Sequence, residues 1–130
     1  MKRKANFQPA EKVAVAASGQ TEGSLVDPRF GRCPCFLIAG AGKKELKVVD
    51  NSAKAAVRGA GVAAAQELAN KGVKAVVAAN VGPNALGVLQ AAGIKVFIAP
   101  ASRRVKEVLK SYQQGKLEPA VEAAAPFRRR

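Results

Sequence analysis

Both cysteines of the chain stand one residue apart in VDPRFGRCPCFLI, residues 26–38, directly after Arg29 and Arg32. Two chemistries are open to such a group. Two thiolates suit a soft, low-coordinate ion such as Cu(I), or one edge of a metal-sulfide cluster. Two guanidinium groups donate charge-assisted hydrogen bonds to an anion. In an extended segment Cys33 and Cys35 point to one face, and Pro34, with no amide to donate, suits a strand start. The plainer alternative is burial as small hydrophobes, with Cys35 opening a buried strand. A disulfide across a single residue strains its geometry, and a reducing compartment keeps both groups as thiols.

Three further stretches bear on binding: Arg58-Gly59-Ala60-Gly61, Asn80-Val81-Gly82-Pro83 and Pro100-Ala101-Ser102-Arg103-Arg104. Each leads into a predicted helix N-terminus, where free amides and a partial positive charge favour anions, and in open α/β sheets ligands settle outside the carboxyl ends of parallel strands. The candidate ligand-binding residues are therefore Arg29, Arg32, Cys33, Arg58, Gly59, Gly61, Asn80, Gly82 and Arg103, and the candidate metal ligands are Cys33 and Cys35. The alternative is that glycine and proline in these loops only make turns. The GAG triplet is not a dinucleotide fingerprint, because it lacks the preceding strand and the third glycine at the required spacing.

Several chemistries are excluded. The chain has no histidine, which rules out Ser-His and Cys-His nucleophilic catalysis. Two cysteines cannot complete a four-ligand zinc or iron-sulfur site within one chain. Asp27 and Asp50 are the only aspartates, and neither lies in the first predicted strand, so the carboxylate set of a two-metal nuclease is missing.

The elements that must position these groups follow from periodicity. Lys12 to Ala17 and Phe36 to Ala39 read as buried strands and Glu45 to Asp50 as a third, with Ala39-Gly40-Ala41-Gly42-Lys43 as a hairpin turn. After Ser52 the period becomes helical in GVAAAQELANKG, ending at Gly72. There follow strand Lys74 to Ala79, helix Pro83 to Ala92 with Pro at its first turn, strand Lys95 to Ile98, and helix Ser102 to Gln114 opened by a serine cap and closed by Gly115. The order βββαβαβα predicts a mixed five-stranded α/β sheet, antiparallel at one side and parallel at the other, the arrangement of the ribonuclease H-like fold. That domain spans 12–118, with basic tails at 1–11 and 119–130.

The length of 130 residues allows one ordinary core, and a hydrophobic fraction of 48% with 24% charged residues is that of a globular chain. The formal charge of +13 predicts an anionic partner. Lys2, Arg3, Lys4 and the terminal Arg128, Arg129 and Arg130 inflate it, yet outside those runs 16 cations still face nine acids. Nucleic acid is one such partner, but aromatics make up 5% of the chain and Tyr112 is its only tyrosine, a thin supply of stacking groups. The apolar run Val13 to Ala17 is too short for a signal h-region or a membrane span, which places the expected protein in the cytoplasm and off the membrane.

The segments VDPRFGRCPCFLI, RGAGVAAAQELANKGVKAVVAANVGPNALGVLQAAGIKVF and VKEVLKSYQQGKLE together resemble the dinitrogenase iron-molybdenum cofactor biosynthesis family, which includes NifX-like and NafY-like carriers and the C-terminal domain of NifB. The likeness covers about 12–118, and its most specific pieces are the RFGR turn and the NVGPNA loop. It implies a ribonuclease H-like fold without catalytic acids, no enzymatic activity, and the binding, carriage or protection of an anionic iron- or molybdenum-sulfide cluster, with cofactor-assembly proteins as partners. Many members read HFGR where this chain has Arg29, and arginine, always protonated, cannot ligate a metal in its place. Cys33 and Cys35 stand where many members carry an alanine and an aromatic residue. Ligation must then come from sulfur, or the cluster is held by charge and hydrogen bonds alone.

Overall fold

The computed structural model describes residues 9–40 and 46–120. Its elements are β1 (Lys12–Ala17), β2 (Cys35–Gly40), β3 (Leu46–Asp50), α1 (Ala60–Asn70), β4 (Ala75–Ala78), α2 (Pro83–Ala91), β5 (Lys95–Ile98), α3 (Val105–Gln113) and β6 (Glu118–Pro119). They form an α/β structure around one mixed sheet of order β3-β2-β1-β4-β5-β6. The β1–β2 and β2–β3 pairs are antiparallel, β1–β4 and β4–β5 parallel, and β5–β6 antiparallel. The expected turn over residues 39–43 lies largely outside the described residues.

β1 and β4 occupy the middle of the sheet, and helices cover both faces. Their residues are buried on either side, which is why KVAVAA and AVVA read as apolar runs without alternation. One face carries α1 and α2: Ala64, Leu68, Leu86 and Leu89 pack on Ala14, Ala16, Phe36 and Val76. The other carries α3, whose Val105, Val108 and Tyr112 pack on Val13, Val15, Leu37 and Val77. Lys12 donates from Nζ to the Lys71 carbonyl at 3.1 Å, placing a cation at the C-terminal end of α1.

Three features depart from the sequence expectations. Among the described residues the sheet has six strands, not five, because Pro119 and Glu118 pair with Phe97 and Ile98. Two residues containing a proline carry no strand signal, and they are held from either side: Leu117 is buried in one core and Ala120 in the other, and the Ala120 amide donates to Val96 at 2.8 Å. Ordered packing therefore continues through Pro119 and Ala120, the first residues of the expected C-terminal tail. Nor is Ser102 the cap of α3: the capping position is Arg104, in extended conformation and bridged to Leu25. Finally, Cys33 and Cys35 do not share a face. Cys33 packs with Phe36 and Ile38 on the α1–α2 side, and Cys35 with Leu37 and Ala39 on the α3 side. The chain turns at 29–33, with the Arg32 amide donating to the Arg29 carbonyl, so the alternation of an extended strand begins only at Cys35.

Candidate functional site

Three segments meet beyond the carboxyl ends of the parallel strands β1 and β4. The first is the turn at residues 28–32. Its base is Asp27, 4% exposed, whose carboxylate accepts from Ser18 Oγ at 2.9 Å and from the Arg29 amide at 2.8 Å. Phe30 anchors the turn in the core, 5.4 Å from the Phe36 ring, and its amide donates to the Asn80 carbonyl at 3.4 Å, tying it to the loop after β4. Gly31 presses on the start of α1: a Cβ there would lie 2.5 Å from the Gly61 nitrogen and 2.7 Å from its Cα. Gly61 in turn lies against α2, where an added Cβ would come within 3.1 Å of Ala85 Cβ. Residues without side chains thus bring the turn, α1 and α2 together.

Between these segments lies a cavity of about 470 Å³, lined by 28–32, 59–62, 80 and 82–85. The lining holds Arg29 and Arg32 and contains no thiol, carboxylate or imidazole. Gly59 caps α1 with φ 69°, a left-handed conformation that glycine adopts at little cost, and Gly82 caps α2. Neither residue offers a side-chain oxygen to the helix, and neither first turn contains an acid. The first bonds of the two helices are donated by Ala63 to Gly59 and by Leu86 to Gly82. The amides of Ala60, Gly61, Val62, Asn84 and Ala85 precede them and have no protein acceptor among the described residues. Two positive helix ends and their unsatisfied donors therefore border one cavity.

The N-terminus of α3 is closed. Val105 and Lys106 donate their amides to the Ser24 and Glu22 carbonyls, at 2.8 and 2.9 Å. The Glu107 carboxylate accepts from the Arg104 amide at 3.1 Å and lies 3.4 Å from Arg103 Nε. Those hydrogen bonds, with the Arg104 backbone contributing most, hold the Glu107 carboxyl below its ordinary range. Arg104 completes the closure with a 2.6 Å bond to the Gly23 carbonyl.

Of the candidate residues, Arg29, Arg32, Gly59, Gly61, Asn80 and Gly82 line the cavity. Arg58 is exposed beside Gly59 but outside the lining, and Arg103 belongs to the closed end of α3. Arg29 is 66% exposed, with Nε 3.8 Å from Asp27. Arg32 is partly committed, since Nη1 donates to the Lys54 and Ala56 carbonyls at 2.8 Å each.

Cys33 and Cys35 lie outside the lining, both buried. The Cys33 thiol donates to the Phe30 carbonyl at 3.3 Å, and burial first, then the nearby Asp27 charge, pushes its pKa up to about 12. Cys35, 3.2 Å from the Gly19 carbonyl, is also raised, mainly by burial. Burial thus keeps Cys33 as a neutral thiol near neutral pH. Among the described residues no three His, Cys, Asp or Glu side chains gather to hold a metal ion.

Gly31, Asn84 and Asn51 were not among the sequence candidates. Gly31 sat in plain view in RFGR, but its close approach to Gly61 spans 30 positions and has no local signal. Asn84 lies in the first turn of α2 on the cavity wall. Asn51, directly after β3, is 2% exposed and reaches back to the turn.

The family described as dinitrogenase iron-molybdenum cofactor matches residues 11–115. An uncharacterized protein of Methanocaldococcus jannaschii is 34% identical over 100 residues, which is 75% of this chain and 84% of that protein. The apo form of the orange protein from Desulfovibrio gigas superposes with a TM-score of 0.82 at 37% identity, covering 85% of this chain and 93% of that one. A putative NifB protein from Thermotoga gives a TM-score of 0.73 at 34% identity over the same shares.

Proposed function

The chain belongs to the dinitrogenase iron-molybdenum cofactor family, and we propose from that premise that its cavity takes up, protects and hands on an anionic iron- or molybdenum-sulfide cluster without chemical change. The observation that carries this reading is the convergence of two helix N-termini without side-chain caps or acids, together with Arg29, on one cavity. Sulfides at the surface of such a cluster accept hydrogen bonds from the amides of α1 and α2 and from the guanidinium groups, each charge-assisted contact contributing roughly 1.5–3 kcal/mol. With no thiol, carboxylate or imidazole in the lining, the cargo is held by charge and hydrogen bonds and leaves without breaking a bond between protein and metal. The buried thiols have no part in this; they pack the two cores.

The sheet order, with antiparallel β3-β2-β1 beside parallel β1-β4-β5, supports a ribonuclease H-like ancestry in which β1 carries no catalytic acid. We place the carrier among cofactor-assembly proteins in the reducing cytoplasm and expect the basic tails to be dispensable for uptake. Anaerobic purification followed by elemental analysis and a visible spectrum tests the reading. Wild-type protein incubated with tetrathiomolybdate, an anionic molybdenum-sulfide probe, should retain molybdenum through gel filtration, and Arg29→Ala should retain less and with weaker dependence on salt. Wild-type protein that emerges free of metal contradicts it.

A further inference from the structure

Asn51 uses every polar atom it has. Its amide donates to the Cys35-proximal end of the turn through Pro34 O at 3.1 Å, and its carbonyl accepts from Lys54 at 3.2 Å. The side-chain Nδ2 donates to the Gly31 carbonyl at 3.0 Å and the Cys33 carbonyl at 2.9 Å, while Oδ1 accepts from the Ala53 amide at 3.1 Å. In the opposite direction, Arg32 of the turn reaches the Lys54 and Ala56 carbonyls of the segment that Asn51 opens. The two strips of chain thus grip each other's backbone, one through an amide and one through a guanidinium. The gripped segment runs directly into Gly59, the cap of α1. Gly31, held from above by Asn51, is the residue pressed against Gly61.

We infer that Asn51 is a positioning residue of the anion site: the clasp it forms with Arg32 fixes the RFGR turn against the N-terminus of α1, so that guanidinium groups and helix amides face one ligand together. This rests on the reading of the cavity as an anion site. Only an amide meets the demand at position 51, because two donated bonds and one accepted bond are required of a side chain sealed from water. Asp keeps the acceptor but loses both donors, and Ala loses all three and leaves the Gly31 and Cys33 carbonyls unsatisfied. Asn51 is not itself a lining residue, so its effect on a ligand passes through Gly31 and α1.

The test compares wild type, Asn51→Ala and Asn51→Ser, each checked for native circular dichroism at the working temperature. Serine retains an acceptor for Ala53 and one donor, and serves if the alanine variant does not fold. Tetrathiomolybdate affinity should fall by about tenfold or more in Asn51→Ala and by less in Asn51→Ser, the order typical of outer-shell partners. The salt dependence should stay as in wild type, since no charge has changed. In the ligand-free proteins, exchange of the hydrogen-bonded Phe30 and Ala63 amides should quicken, while those of Val105 and Lys106 stay as they were. A folded variant with wild-type affinity and wild-type exchange at Phe30 and Ala63 overturns the inference. If wild type itself fails to bind the probe, it is the anion-site reading that falls, and unchanged exchange at Phe30 and Ala63 then overturns the clasp independently.

Discussion

The N-termini of α1 and α2 and the N-terminus of α3 begin from similar sequence and end as opposites. All three follow loops rich in glycine, proline or arginine, and all three lack a side-chain oxygen at the capping position. At α3 the loop between β1 and β2 lays the Glu22 and Ser24 carbonyls across the first amides, and Glu107 adds a negative charge. At α1 and α2 nothing of the kind arrives from the described residues, and the space holds a cavity instead. The difference teaches that a helix end stays open through what the rest of the chain withholds from it. Arginines near such a loop are no guide: Arg103 serves Glu107, whereas Arg29 stands at the open cavity.

The strongest way to break this contrast is to push the open ends apart. Gly31→Ala puts a methyl against the backbone of Gly61, which cannot yield as a flexible side chain could. We expect a loss of about 1–3 kcal/mol in chemical denaturation and loss of tetrathiomolybdate binding. Gly82→Ala is the control: its φ and ψ of −65° and 161° suit alanine and the added Cβ meets nothing within 4 Å, so stability should hold or rise by about 0.4–1 kcal/mol.

A smaller change turns an open end into a copy of the closed one. Asn84→Asp places a carboxylate in the first turn of α2, as Glu107 is placed in α3. The helix should gain about 0.3–1 kcal/mol, read as a raised melting temperature, while probe affinity falls, most strongly at low salt. Gain of stability with unchanged affinity would separate the α2 end from the ligand.

A last effect, confined to high pH, concerns the buried thiols. The Cys33 pKa is raised in the folded state from an ordinary value of 9.0 to about 12, so the unfolded chain releases that proton first. Its contribution to stability is complete below pH 9 and is lost as pH rises toward 12, with a slope of up to about 1.4 kcal/mol per pH unit. Cys35 and Tyr112 are shifted in the same direction and add to the slope. Urea melts across that range should show a shallower decline for Cys33→Ala than for wild type. An identical decline would mean that Cys33 ionises freely in the folded protein.

The parts of the fold legible in the sequence are those whose cause is local. β1 and β4 announce themselves because burial on both faces demands unbroken apolar runs, and α2 because Pro83 and Gly93 bracket it. β6 was hidden because two residues are held there by neighbours far along the chain, through Val96 and Gln90. Within the site, Arg29, Arg32, Gly59, Gly61, Asn80 and Gly82 could be picked out as loop residues before helices and are indeed brought together. Cys33 misled because period-two alternation presumes an extended chain, and the turn at 29–33 is not extended. Asn51 and Gly31 act across 20 and 30 positions, and nothing in their immediate neighbours marks them.

The central claim, that the open ends of α1 and α2 receive an anionic cargo and the closed end of α3 does not, is tested most directly by amide NMR during titration with tetrathiomolybdate. The account predicts shifts at Gly59 to Val62, Gly82, Asn84 and Ala85, with Val105 to Glu107 unmoved. Shifts confined to α3 or to the terminal basic runs, with 59–62 and 82–85 unaffected, would contradict it.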